Sequence, residues 1–362
     1  MIKRYAHLLA HYSLSLKKGE KVLIHTTTVA EDLAREVYRE ALKIGSIPEV
    51  ELDFRGKRRI LMEEGNAEQL AYLPTLYKKA IEEYDAYLFI RAPYNHAENK
   101  SLKKGSVQKR SKALMPIHNT YSLRTAKRAL KRTLCEYPTA ASAQIAGMPL
   151  EQYETFIFKA CKLCDKDPIA SWKKVSKMQQ GIVDYLNKSE NIRYKGPRTD
   201  VSFSVKKRIW INSDGQTNMP SGEVFTSPIE DSVNGTVFFD YPAIFKGEEV
   251  KNVTLQIKDG KVVKWKAERG QGLLDMVMKI KGARFFGEVA IGTNYDITIP
   301  TKNILFDEKI GGTIHMALGQ SYKQTGGQNE SSLHWDLISD MTQGSIFADG
   351  TKIYDNGKFL IK

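Results

Sequence analysis

Cysteine is nearly missing from this chain: Cys135, Cys161 and Cys164 are its three thiols among 362 residues. Three thiols cannot build a disulfide framework, so the fold has to rest on burial and hydrogen bonding, as suits a reducing compartment. Long apolar runs are lacking too, and none approaches the ~20 residues that a membrane-spanning helix needs. The opening segment Met1–His7 has basic residues but neither an apolar stretch nor a cleavage site. A secretory signal is therefore not expected, and a cytoplasmic location is. No G-x-G-x-x-G follows the first strand signal, which removes a dinucleotide-binding reading of the N-terminal half.

Acidic residues are absent between Lys100 and Arg132, where eleven Lys or Arg supply most of the net charge of +13. Such a block can bind nucleic acid or another polyanion. Tyr121 is its only aromatic residue, so a base-stacking platform is missing. A solvated basic helical surface is expected, and nucleic acid is not an expected partner.

Two short motifs carry little. Cys161-Lys162-Leu163-Cys164 is a lone CxxC in a helical segment, without the second pair that would complete a zinc site. His7 and His11 are four residues apart on one helix face, but no Glu stands between them as in a zincin helix. Both read as surface or half-buried histidines.

The composition itself, 41% apolar and 27% charged, is that of an ordinary soluble globular protein, and the length favours two domains. The first half alternates between periods. Residues 2–16 and 30–44 are patterned as amphipathic helices, the second closed by Gly45, and 70–83 reads as a third. Residues 21–25, 48–52 and 86–90 read as short buried strands. Strand, helix, strand at this spacing predicts an α/β N-terminal domain with a parallel sheet. The stretch from there to about Tyr185 is mostly helical in pattern. Near 187–198 the texture turns polar and Gly/Pro-containing, and alternating strands follow at 200–205, 208–211, 253–258 and 261–266, with Asp259-Gly260 as a hairpin turn. A helix is expected at 272–280. The expected division is 1–189 for the α/β domain and 190–362 for a mainly β (α+β) metal-binding domain.

The second half concentrates metal-ligating chemistry. Glu288, His315, Tyr322, His334 and Asp336 fall close together, with Glu223 upstream in the run Asn218–Pro228. Two of the chain's seven histidines belong to this set. Carboxylate with imidazole suits Zn2+, Co2+ or Mn2+, and the number of donors exceeds what one tetrahedral ion requires. Two ions sharing a carboxylate are the natural use, and such pairs serve hydrolysis. Glu288 sits among apolar neighbours in Phe285–Gly292, where an unpaired carboxylate is costly; an edge-strand Glu facing water is the plain alternative. His315 stands between Gly311-Gly312 and Gly319, and a lone histidine there would more often be a satisfied core residue. His334 and Asp336 are two apart in an extended segment and so face one side, with Trp335 facing the other.

These segments resemble a known family, the aminopeptidases of the thermophilic type, metallopeptidase family M29. The resemblance covers nearly the whole chain. It includes Tyr5–Leu52 and is most specific in Asn218–Pro228, Gly287–Asn294, Glu308–Tyr322 and Leu333–Ile338. It implies that Glu223, Glu288, His315, Tyr322, His334 and Asp336 occupy the family's metal-site positions. It also implies a homodimeric exopeptidase with two divalent ions (Zn, Co, Mn or Mg), acting on peptides with a free N-terminus. The chain differs in its short, Gly-rich connection from Tyr322 to His334 and in its basic block, both of which bear on what the pocket accepts.

The expected mechanism makes Glu288 the bridging carboxylate and Glu223 a ligand, and leaves open whether Glu223 is also the proton acceptor. Tyr322 would ligate or donate its hydroxyl to the oxyanion. The alternatives are another two-metal hydrolase acting on an amide or phosphoester, and a polyanion-binding protein on an inactive peptidase fold.

Overall fold

The structure, a computed structural model, describes residues 1–245 and 247–361. The chain forms two compact units, Met1–Ile169 with Gly215–Pro220, and Ala170–Asp214 with Ser221–Lys362. The expected boundary at 190 falls after the helix Pro168–Leu186, whereas the division falls near that helix's start. The reason is burial: Ile182, Val183 and Leu186 pack into the core of the second unit.

The first unit is α/β. Its helices α1 (Ile2–Leu8) and α2 (Glu31–Ile44) accompany a five-stranded parallel sheet. The sheet contains β1 (Lys21–Thr27), β2 (Ile47–Asp53), β3 (Ala86–Arg91) and β4 (Lys131–Glu136), in the order β2-β1-β3-β4, with the two-residue strand Asn218–Met219 beside β4. In β1 Val22, Leu23 and Ile24 are all buried, the continuous apolar run of a parallel strand covered on both faces. Helix α2 buries Leu33, Ala34, Val37 and Ala41, one stripe at helical spacing. It ends where Gly45 takes the left-handed conformation (φ 85°), its N–H bonded back to the last turn.

Three details depart from the sequence reading. The expected helix 2–16 stops being α at Leu8 and continues as a π turn, Leu9–Ser13. The expected helix 70–83 is two, Ala67–Ala71 and Thr75–Glu83, because Pro74 cannot sit in a helix interior. Strand β4 lies inside the stretch that reads as mostly helical. Its charged ends disguise it: Lys131 Nζ lies 2.7 Å from Glu20, and the fully buried Glu136 takes Arg91 Nε at 2.5 Å. The basic block forms helix α3 (Lys104–Ala126), and Tyr121 packs edge-on against Tyr87. Among the described residues no helix is long and apolar enough to cross a membrane.

The second unit is mainly β. A nine-stranded sheet includes the hairpin Glu248–Lys258 and Lys261–Arg269, turned at Asp259-Gly260 as expected. The expected helix at 272–280 is Gln271–Val277, and the strand expected at 208–211 starts only at Ile211. A second, five-stranded antiparallel sheet holds β5 (Ile211–Ser213), β6 (Glu223–Thr226), β7 (Phe286–Gly292), β8 (Thr313–Gly319) and β9 (His334–Asp340), in the order β9-β8-β7-β6-β5.

The register of this sheet separates two chemistries. Glu288 pairs with Ala317, which pairs with Asp336; Ala290 pairs with His315; Gly292 pairs with Glu223; Gly319 pairs with His334. Paired residues project to the same face. One face therefore carries Glu223, Glu288, His315, His334 and Asp336. The other carries Val224, Val289, Ile291, Ile314, Met316, Leu318, Trp335 and Leu337, all in the hydrophobic core. Each such core side chain contributes roughly 1.5–3 kcal/mol on burial. That apolar face fixes the register that aligns the polar one.

Candidate metal centre

Small residues make room on the polar face: Ala290, Gly292, Ala317 and Gly319 stand directly across from the five acids and histidines. Two groups of donors form there. Glu223, Glu308 and His315 bring three ligand atoms within 4.8 Å of one another, and Glu288, His334 and Asp336 do the same. Glu288 faces both. Its Oε1 lies 3.4 Å from His315 Nε2, and its Oε2 lies 3.1 Å from His334 Nε2. His315 Nε2 is also 3.4 Å from Glu223 Oε2, and His334 Nε2 is 3.5 Å from Asp336 Oδ1.

The surroundings orient these side chains. His334 Nδ1 donates to the Gln320 carbonyl at 2.7 Å, which places a proton on Nδ1 and makes Nε2 the nitrogen turned toward Glu288 and Asp336. That carbonyl follows Gly319, whose φ of 99° only glycine adopts without strain, and a Cβ there would meet the Leu333 carbonyl oxygen at 2.2 Å. The Glu223 backbone carbonyl accepts from the buried Gln179 Nε2 at 2.9 Å, and Gln179 Oε1 in turn accepts from Thr293. The Glu223 side chain turns Oε1 to Lys309 Nζ at 3.2 Å. Lys309 is fully buried and also ion-paired with Glu308.

Charge sets the character of the site. Lys309 pairs with Glu223 and Glu308, while Glu288 and Asp336 face the two histidines, and burial pushes the Glu308 carboxyl up to about 8. Burial alone would keep His315 neutral, yet its hydrogen bond with Glu288 and the charge of Glu223 lift it to about 9. His334 is likewise disfavoured by burial but raised to about 12 beside Asp336 and Glu288. Asp336, which burial would push up, is held at about 2 by His334. Burial opposes the charge on Lys309, and Glu223 with Glu308 more than restore it, above its ordinary value.

A divalent cation fits this set. Glu223 Oε2 and Asp336 Oδ1 are buried with no hydrogen-bond partner among the described residues, which is unusual for carboxylate oxygens. A field negative enough to pull protons onto two imidazoles attracts a divalent ion more strongly. Mixed carboxylate and imidazole donors suit Zn2+, Co2+ or Mn2+.

All six residues singled out in the sequence lie in the second unit, and five of them share the polar face. Tyr322, just beyond β8, joins through its ring, 5.0 Å from that of His334 and 5.6 Å from that of Phe225. Glu308 and Lys309 were missed. They follow Asp307 between the buried Phe306 and Ile310, so a charged triplet enclosed by apolar residues is the available signal. The CxxC gives no shared site: Cys161 is buried against the Tyr5 hydroxyl and Cys164 is exposed.

Comparison with known proteins agrees with the fold and the chemistry. A family model described as thermophilic metalloprotease (M29) matches residues 1–359. Aminopeptidase AmpS of Bacillus subtilis (strain 168) is 27% identical, with 99% of this chain and 98% of the relative aligned. Aminopeptidase 2 of Geobacillus stearothermophilus is 28% identical over 100% of this chain and 98% of the relative. The solved structure of wild-type AmpT from Thermus thermophilus superposes with a TM-score of 0.85 at 24% identity, covering 99% of both chains, and so shares the fold. This chain belongs to the thermophilic metalloprotease (M29) family.

Proposed function

We propose that the protein is a cytoplasmic, metal-dependent aminopeptidase that removes N-terminal residues from peptides. Two divalent ions (Zn, Co, Mn or Mg) would be held by Glu223, Glu288, His315, His334 and Asp336, with Tyr322 beside them. The observation that carries this reading is the division of Glu288, one oxygen toward each donor group, 3.4 Å from His315 and 3.1 Å from His334. Such a carboxylate suits a role shared between two ions. The aminopeptidases that align end to end with the chain support the reaction class.

When bound, divalent ions supply Lewis-acid polarisation of a scissile carbonyl and lower the pKa of the attacking water. The chain's own residues do the rest. Glu223, with Oε1 held by Lys309, keeps Oε2 for ligation and for accepting the proton released by water. Tyr322 is assigned the hydroxyl that donates to the developing oxyanion. Closure beyond the substrate's N-terminal amine is assigned to a homodimer, on family resemblance; a fully active monomer in light scattering would remove that part.

Leucine anilide, its N-acetylated form and a phosphoester form the test panel. Hydrolysis of the first alone, abolished by EDTA and restored by Zn2+, Co2+ or Mn2+, is expected. Indifference to EDTA, or equal cleavage of the blocked amine, would overturn the reading.

A further inference from the structure

The first unit holds a group of donors that the peptidase chemistry does not use. His7 lies in the last turn of α1, and His11 lies one turn on, inside the π turn Leu9–Ser13. Their rings are neighbours, with centroids 4.1 Å apart. Glu40 of α2 reaches both: Oε2 is 3.0 Å from His7 Nδ1 and 3.2 Å from His11 Nε2. We propose that His7, His11 and Glu40 form a second metal site, taking one divalent transition ion of borderline softness such as Zn2+, Ni2+ or Cu2+.

The spacing carries the argument. Donors bound to zinc at about 2.0–2.1 Å in a tetrahedron stand about 3.3–3.4 Å apart. The pairs at 3.0 and 3.2 Å need to open by only a few tenths of an ångström to admit an ion. The carboxylate is already aimed, because Lys43 Nζ holds the opposite oxygen, Oε1, at 2.6 Å. Ligand type selects the metal: two imidazoles with one carboxylate suit transition ions and give Mg2+ or Ca2+ too few oxygens. Access is open, since the side chains of His7 and His11 are 54% and 35% exposed. Water would complete the coordination. π turns also recur at functional positions in helices.

A second group of similar residue types shows the contrast. His25, Glu51 and Asp53 also converge, but Lys57 Nζ is hydrogen-bonded to both acids, so a cation already sits among them. At Glu40 two imidazoles converge on one carboxylate oxygen and Lys43 touches only the other, whereas the second group has a single imidazole and a lysine that bridges both of its acids. Binding there would tie α1 to α2, which β1 separates in sequence.

The test compares metal content in the holoenzyme. Native protein and the His7→Gln/His11→Gln variant are equilibrated in the same zinc buffer, and metal per chain is measured alongside peptidase activity. One Zn2+ fewer per chain in the variant, at unchanged activity, is expected. Cu2+ added to native holoenzyme should give an EPR spectrum with hyperfine structure from two imidazole nitrogens, lost in the variant, and Glu40→Gln should weaken Cu2+ binding at least tenfold. Equal zinc content in the two folded proteins, or a Cu2+ spectrum common to both, overturns the proposal. Circular dichroism checks the fold, and the single His7→Gln and His11→Gln variants repeat the comparison should the double variant not fold.

Discussion

Lys309 Nζ stands 3.2 Å from Glu223 Oε1, with the lysine fully buried and the glutamate 5% exposed. A buried ion pair tolerates the loss of one partner poorly, because the other charge is left uncompensated. Lys309→Met should therefore destabilise the metal-free protein by about 3–5 kcal/mol, measured by urea unfolding in chelator. Added Zn2+ should recover part of that loss, since a divalent ion compensates the same carboxylates. A variant as stable as the parent in chelator would show that Lys309 does not neutralise the site.

Glu288 reaches one histidine of each donor group. Glu288→Gln keeps the size and removes the charge, and it should lower kcat/KM for leucine anilide by well over a hundredfold, beyond the 10–100-fold typical of losing an outer partner. Circular dichroism should be unchanged. Near-normal kcat/KM would sink the assignment of Glu288 to both groups.

Gly319→Ala tests the support behind His334. The left-handed conformation at Gly319 precedes the carbonyl that receives His334 Nδ1–H, and an added Cβ collides with the Leu333 backbone. A loss of more than about 1 kcal/mol is expected from the backbone conflict, together with weaker metal affinity in a competition against a chelating dye. Loss of stability with unchanged affinity would separate the glycine's structural role from the orientation of His334.

Far from the polar face, Glu249 gives a pH signature. Its hydrogen bond from Lys302 Nζ, at 2.7 Å, outweighs burial and, with Arg269, holds the carboxyl below its ordinary value of 4.5. A carboxylate depressed in the folded state stabilises fully above the unfolded value and loses that stabilisation as pH falls through the folded one. Glu249→Gln should cost up to about 1 kcal/mol at pH 7. The gap to the parent should close as pH falls below 4.5. A gap constant over that range would assign the effect to packing instead of charge.

Much of this molecule is legible in its sequence, and the limits have physical causes. Strand β1 and helix α2 are readable because Val22-Leu23-Ile24 and the stripe Leu33, Val37, Ala41 are local patterns. The paired spacing of His334 and Asp336 also reads directly as one face of a strand. Strand β4 was lost because Lys131 and Glu136 owe their places to Glu20 and Arg91, partners remote in the chain. Glu308 and Lys309 were missed for the same reason: a lysine enters the interior only when acids such as Glu223 meet it there, and that meeting belongs to the tertiary fold. The convergence of His7 and His11 depends on Glu40, a helix away, and α-helical spacing alone gave them no carboxylate.

The two-faced sheet also acts as a proofreading device. Side chains alternate strictly along β8, so a slip of one residue would turn His315 into the oil of the core and bring Ile314 to the acids. The same slip would set a polar ring among apolar side chains and take a donor away from the acidic face in one event. A molecule with that strand misaligned is therefore unstable and lacks a donor of the candidate metal centre, so one alignment serves both the core and the acidic face.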